Sequence, residues 1–337
     1  MNHNKKMIIN HLRAVLVSSA ALSLVPVSFV GLSSSAQAAS CCGGGSASSL
    51  VLPKFSKAMF DVSMDYEHYD GFWDNNGDWV EDPAGSDLNQ YRINLGYAHR
   101  LTPNWQASVT LPYVFNQNKY ASLERNTNGI GDGTASIWYE AFDKITCVWD
   151  VKSWEDLIPA VFLGGTLTVP TGTSPYDDVS DNFDITGRGF YRLDASILID
   201  KTVYPWNLSL GATYGKYLER PINSEYGTNV QPYHKQLGDR FNTNLSFGYT
   251  YFTDEMESLT TTLAYAILQE DEAKIDGVID TTSGVRKESV SMTLAWATEK
   301  RDWVYKLTVS HAPSRDGWGE NFPTTDVITV GVSHVLR

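Results

Sequence analysis

From residue 58 onward, apolar and polar positions alternate with period two, the spacing of strands that have one apolar and one polar face. In 58–68 the apolar set is Ala58, Phe60, Val62, Met64 and Tyr66, set against Asp61, Ser63, Asp65 and Glu67. In 90–101 Tyr91, Ile93, Leu95 and Tyr97 oppose Arg92 and Asn94. In 105–114 Trp105, Ala107, Val109, Leu111 and Tyr113 oppose Gln106, Ser108 and Thr110. Nine further segments repeat the pattern, near 134–140, 161–169, 191–199, 206–214, 240–251, 259–267, 289–296, 303–310 and 328–336. Each is about the ten residues that a tilted strand needs to cross a bilayer.

A soluble β-sandwich also alternates, and two features separate the cases. Short turns at Leu101–Asn104, Lys201–Pro205, Thr253–Ser258 and Lys300–Asp302 interleave with long polar loops. Those loops are Asp70–Asp87, Asn116–Asn128, Thr171–Arg188, Glu219–Gly238, Glu270–Gly284 and Ala312–Thr325. Short on one side and long on the other is the asymmetry of outer-membrane barrels; Asp143–Leu157 is the one turn too long for its side. In addition, Trp105, Trp206 and Trp303 each follow a short turn on the outward phase, and Trp296 lies at the same level on a descending strand. Indoles gathered at one depth form a membrane-interface girdle, whereas a sandwich core would scatter them. The pattern therefore predicts an all-β chain: a transmembrane antiparallel up-and-down β-barrel of about twelve strands over 55–337, with both termini periplasmic.

The first residues change the picture of where the chain goes. Lys5, Lys6 and Arg13 precede an apolar run from Ala14 to Leu32, and Ala36-Gln37-Ala38 fits a signal-peptidase site, so 1–38 reads as a signal peptide. Residues 39–54, rich in Cys, Gly and Ser, read as a flexible linker. Lipidation of Cys41 is disfavoured because Ala38-Ala39-Ser40 lacks a large apolar residue. Removing the three leading basic residues leaves 23 of 26 against 39 acidic, a formal charge of −16. That balance excludes nucleic acid as a partner; the partners expected are outer-membrane lipid and a small-molecule solute.

Chemistry enters through the inward phase, which must line a lumen. Its acids are Asp61, Asp65, Glu67, Asp132, Glu140 and Asp194; its bases are Arg92, Arg100, Arg192, Arg240, Lys287 and Lys306. Six of each sign imply no strong ion selectivity by charge count. Two readings stay open: a polar ladder along a narrow pore, or paired charges that plug a small barrel. Tyr217 and Phe190 add aromatic contacts inside. In the acidic 70–87 loop, Asp74, Asn76, Asp78 and Asp82 alternate like calcium ligands. The glycine at 77 is misplaced and no closing glutamate follows, so a solvated acidic loop is the plainer reading.

The three cysteines make no disulfide framework. Cys41 or Cys42 could pair with Cys147 in an oxidising periplasm, which would account for the long 143–157 turn; the alternative is metal or thiol chemistry at the vicinal pair. No cofactor is implied. Catalysis is not expected either, because Ser310-His311 and Ser333-His334 are neighbours in sequence and so point to opposite faces. His68, His99, His311 and His334 fall near strand ends on the lipid-facing phase, and Gly129–Thr134 has no lysine after it to make a phosphate loop.

Several short motifs carry a resemblance. They are Leu101-Thr102-Pro103-Asn104-Trp105 leading to Leu111-Pro112-Tyr113; Gly129-Ile130-Gly131-Asp132-Gly133-Thr134 opening a strand; Val169-Pro170-Thr171-Gly172-Thr173 closing one; and Gly187–Tyr191 with Gly211-Ala212-Thr213-Tyr214. Together they resemble the transporter-like outer-membrane barrel family named for the meta-pathway of phenol degradation, over roughly 55–337 and most clearly in 88–216. The chain departs from such barrels in ending His334-Val335-Leu336-Arg337 rather than on an aromatic residue. The resemblance implies a channel for passive passage of small solutes, with aromatic or apolar compounds suggested by the family name. The alternatives are a non-conducting structural or adhesive surface barrel and, third, an outer-membrane hydrolase.

Overall fold

A computed structural model describes residues 50–74, 78–141, 147–312 and 323–337. Twelve antiparallel strands form the barrel: β1 (Ala58–Trp73), β2 (Asp87–Arg100), β3 (Trp105–Tyr120), β4 (Gly133–Glu140), β5 (Ala160–Val169), β6 (Arg192–Val203), β7 (Trp206–Tyr217), β8 (Arg240–Phe252), β9 (Ser258–Glu270), β10 (Val285–Ala297), β11 (Trp303–His311) and β12 (Pro323–Leu336). Each alternating segment of the sequence lies in one of them. Every strand pairs with its sequence neighbours, and β12 returns to β1 with Ala58 opposite Leu336. Closure leaves the barrel no free edge.

The two phases of each strand point where the alternation requires. Along β1, Phe60, Val62 and Met64 are 44–50 % exposed, whereas Asp61, Ser63 and Asp65 are 2–5 % exposed. This is the inverse of a water-soluble protein. An outward apolar belt is stable when hydrocarbon covers it, and the inward groups satisfy one another: Ser136 with Thr166, Ser196 with Thr213, Thr250 with Thr260 and Thr293 with Thr308, hydroxyl to hydroxyl at 2.8–2.9 Å.

Several segments expected as loops contain β structure instead. β3 continues to Tyr120, and Leu123–Ile130 folds back along its outer half as a hairpin. β4 takes over pairing with β3 at Thr110↔Thr134 and below. The changeover falls at Gly131, where a Cβ would lie 2.9 Å from Pro112 Cγ and 3.1 Å from the Thr186 carbonyl oxygen. Arg220–Glu225, Thr228–Gln236, Lys274–Ile275 and Val278–Ile279 join into a separate four-stranded sheet above the barrel. These strands are mostly exposed, with Ile222 buried, and they carry no sustained period-two apolar signal. At the opposite end, the long turn contains Cys147–Val148, parallel to Thr202–Val203 of β6, and a 3-10 turn at Trp154–Leu157 closed by a Ser153/Asp156 capping box.

The end of the expected linker does not hang free. Leu50, Val51 and Leu52 are 1–3 % exposed inside the short-turn end of the barrel. Leu50 and Leu52 pack with Met59, Ala98 and Val335, and Val51 packs with Trp138, Ala160, Phe162 and Leu198. The Leu52 N–H donates to Gln106 Oε1. Arg100 donates to the carbonyls of Ser56 and Pro53 at 2.9 and 3.1 Å, and Lys54 pairs with Glu140 at 3.5 Å. Burying each aliphatic side chain stabilises this arrangement by about 1.5–3 kcal/mol.

Candidate functional site

The interior is built in tiers along β1 and its neighbours. Nearest the short turns, Glu140 of β4 faces Lys54 and Arg100, the latter at 3.8 Å. One step up, Asp61 accepts from Lys306 Nζ at 3.1 Å and from the Ser333 hydroxyl. Above that, Asp65 accepts from Thr329 at 2.7 Å and from Asn94 at 2.8 Å, with Arg92 at 3.8 Å. Arg92 also pairs with Glu67 at 3.1 Å, and the Tyr69 hydroxyl donates to Glu67 at 2.7 Å. Lys287 is buried on β10, its charge interacting with Glu67. Successive inward positions rise along one strand, so period two alone stacks these groups into a ladder.

At the loop end, a second cluster spans β6 to β9. Arg188 grips Glu270 with two hydrogen bonds of 2.7 Å, and Arg192 grips Asp194 at 2.7 and 3.0 Å. The Tyr217 hydroxyl accepts from both arginines, at 2.7 and 3.1 Å. Phe190 meets Tyr217 edge-on, with centroids 6.5 Å apart. Arg240 approaches Glu270 at 3.9 Å.

All of the expected lumen charges except Asp132 therefore sit on inward strand positions. Asp132 lies in the link before β4, where its carboxylate accepts the backbone N–H groups of Gly172 and Arg188 at 3.1 and 2.7 Å; it clamps loop to wall. Residues that sequence reasoning passed over complete the site. The sequence pattern places Glu270 and Arg188 at loop boundaries and Lys54 in the linker. Continuing the alternation of β9 past Ile267 puts Glu270 on the inward phase, and the pairing of β8 with β9 sets it opposite Arg240. For Arg188, the sole local signal is its place between Gly187 and Gly189.

The four girdle tryptophans share the outer face at the short-turn end, each 41–47 % exposed. Trp105 faces Tyr139, Trp206 faces Tyr249, Trp296 faces Tyr305 and Trp303 faces His334, with ring centroids 4.3–5.2 Å apart. In the acidic loop, Asp74 accepts the Asp78 N–H at 3.0 Å and Asp82 accepts the Gly71 N–H at 2.9 Å, so these carboxylates build turns; Asn76 lies outside the described residues. Among the described residues no three His, Cys, Asp or Glu side chains gather as a metal site. Cys41, Cys42 and the Cys147 side chain also lie outside them. Ser310 is buried while its neighbour His311 is on the other face.

No family model and no curated protein matches this chain. Solved structures do. The COG4313 outer membrane channel from Pseudomonas putida F1 matches with a TM-score of 0.59 at 14% identity, over 93% of this chain and all of that one. The β domain of the Bordetella autotransporter BrkA matches with 0.46 at 9% identity, over 83% of this chain and 100% of that one. The P. putida toluene transporter TodX matches with 0.40 at 10% identity, over 83% and 90%. At such identities the likeness is one of fold: this chain has the closed antiparallel barrel of Gram-negative outer-membrane proteins.

Proposed function

We propose that the barrel is an outer-membrane channel for passive passage of small solutes, with small aromatic or apolar compounds as the class its family resemblance implies. The observation that carries this reading is the polar lumen. Paired charges can plug a small barrel, but the guanidiniums over these carboxylates are part-exposed, as a solute path with wet walls needs. The apolar segment 50–52 lies across the short-turn end, which argues for a narrow, selective route over a general pore.

The test is single-channel recording of the refolded protein in a planar bilayer. Discrete, salt-dependent current steps are the expected result. A protein that inserts and resists detergent unless heated, yet never passes current, overturns the reading. The exposed tip of the four-stranded sheet, where Val278 is 70 % exposed, then supports the alternative of a surface barrel that contacts partners.

A further inference from the structure

Charges of the two signs in the lumen differ in exposure. Glu270 and Asp194 have side chains 5 % and 6 % exposed, while Arg188, Arg240 and Arg192, which cover them, are 43 %, 28 % and 19 % exposed. The same order holds lower down, where Arg92, 26 % exposed, lies over the buried Asp65 and Glu67. A solute entering the barrel meets guanidinium groups first, with their carboxylates behind them.

At the loop end the pairing is also incomplete. Both oxygens of Glu270 are engaged by Arg188, and both oxygens of Asp194 by Arg192. Asp132, close by in the chain fold, accepts from backbone N–H groups. Arg240 is left with a 3.9 Å approach to a carboxylate that already has a bidentate partner. Three guanidiniums thus share two carboxylate partners, and the one without a close partner is a part-exposed planar fork.

We propose that Arg240, flanked by Arg188 and Arg192, forms a subsite at the loop-end mouth of the lumen that binds small organic monocarboxylates. The guanidinium fork matches a carboxylate through two parallel hydrogen bonds, and among the described residues Arg240 makes no such bidentate pair. Partial desolvation strengthens the attraction relative to bulk water. Transport of organic anions in preference to cations follows, and that consequence rests on the channel reading; the binding itself does not.

Benzoate is the probe. It is titrated by calorimetry into the detergent-solubilised wild-type protein and into Arg240→Gln, at constant ionic strength in chloride. Saturable binding to wild type, weakened at least tenfold in Arg240→Gln, is expected, with the heat-modifiable gel shift of the variant showing an intact barrel. Should Arg240→Gln not fold, Arg240→Lys keeps the charge and removes the fork, and weaker binding is again expected. No saturable binding to wild type, or equal binding to a folded variant, overturns the subsite. The bilayer reversal potential in a tenfold KCl gradient then separates the two readings. An anion-signed potential that shifts toward zero in Arg240→Gln supports the preference, and a cation-signed one overturns it. A silent bilayer with intact benzoate binding removes the channel reading and leaves the subsite standing.

Discussion

Glu270 shows how much one residue can hold. It anchors Arg188 from the loop, receives the Tyr217 hydroxyl at 3.3 Å and stands 3.9 Å from Arg240. Glu270→Gln leaves three guanidiniums around one remaining paired carboxylate. Because Arg188 is substantially exposed, water screens part of the loss, and a destabilisation of roughly 1–3 kcal/mol is expected in urea unfolding in detergent. By contrast, Glu288→Gln removes the exposed 3.2 Å pair with Arg286 and weakens the exposed 2.6 Å bond from the Tyr265 hydroxyl, and should cost no more than about 1 kcal/mol. Asp156, in the long turn, makes a pH prediction. Backbone N–H groups of Lys152 and Ser153 donate to its carboxylate and hold its pKa below the usual value. The sign follows from that: its contribution is present above the ordinary carboxylate pKa and is lost as pH falls through the depressed folded value. Proteolysis at 150–158 should therefore rise on acidification in the wild type, while Asp156→Asn should be susceptible at every pH; a wild-type profile flat down to pH 2 counts against it.

At the scale of an element, the segment 50–53 behaves as part of the barrel. Its apolar side chains fill the short-turn end beside Trp138, whose ring lies where a Gly164 Cβ would come within 2.6 Å. The double substitution Leu50→Asp with Leu52→Asp places two carboxylates among the apolar side chains of Met59, Ala98 and Val335, where burying charge is costly. The segment should leave the lumen and single-channel conductance should rise, with the heat-modifiable shift of the barrel retained. Unchanged conductance would show that 50–53 does not lie on the solute path. Period two revealed every barrel strand because each has hydrocarbon on one side and a wet lumen on the other. It could not reveal this segment, since Leu50-Val51-Leu52 is too short for any periodicity. Nor could it reveal the hairpin at Leu123–Ile130 or the four-stranded sheet, which carry no sustained apolar phase.

For the whole molecule, stability follows the sorting of residues between two solvents. Val330 of β12 faces outward and is 58 % exposed, while its neighbour Thr329 faces inward and donates to Asp65. Val330→Arg should destabilise the barrel by about 2–4 kcal/mol, as lipid-facing arginine does near a bilayer midplane. Val330→Leu should be close to neutral. Unfolding titrations in lipid vesicles check both, and equal midpoints for the two variants would mean that this face is not in hydrocarbon.

Fold class, strand number and the two faces of each strand follow from the sequence alone, because a bilayer imposes the same local requirement at every residue of a spanning strand. The outward phase of the four tryptophans and the inward phase of the strand charges follow for the same reason. Which of those charges meet is a tertiary matter. Arg188 reaches Glu270 from 82 residues away, and Asp61 meets Lys306 across 245. Such pairs depend on register, on closure of β12 against β1 and on how a loop re-enters the mouth. Exposure is decided there too: a carboxylate and a guanidinium count equally in the sequence, but only the folded barrel buries the first and presents the second.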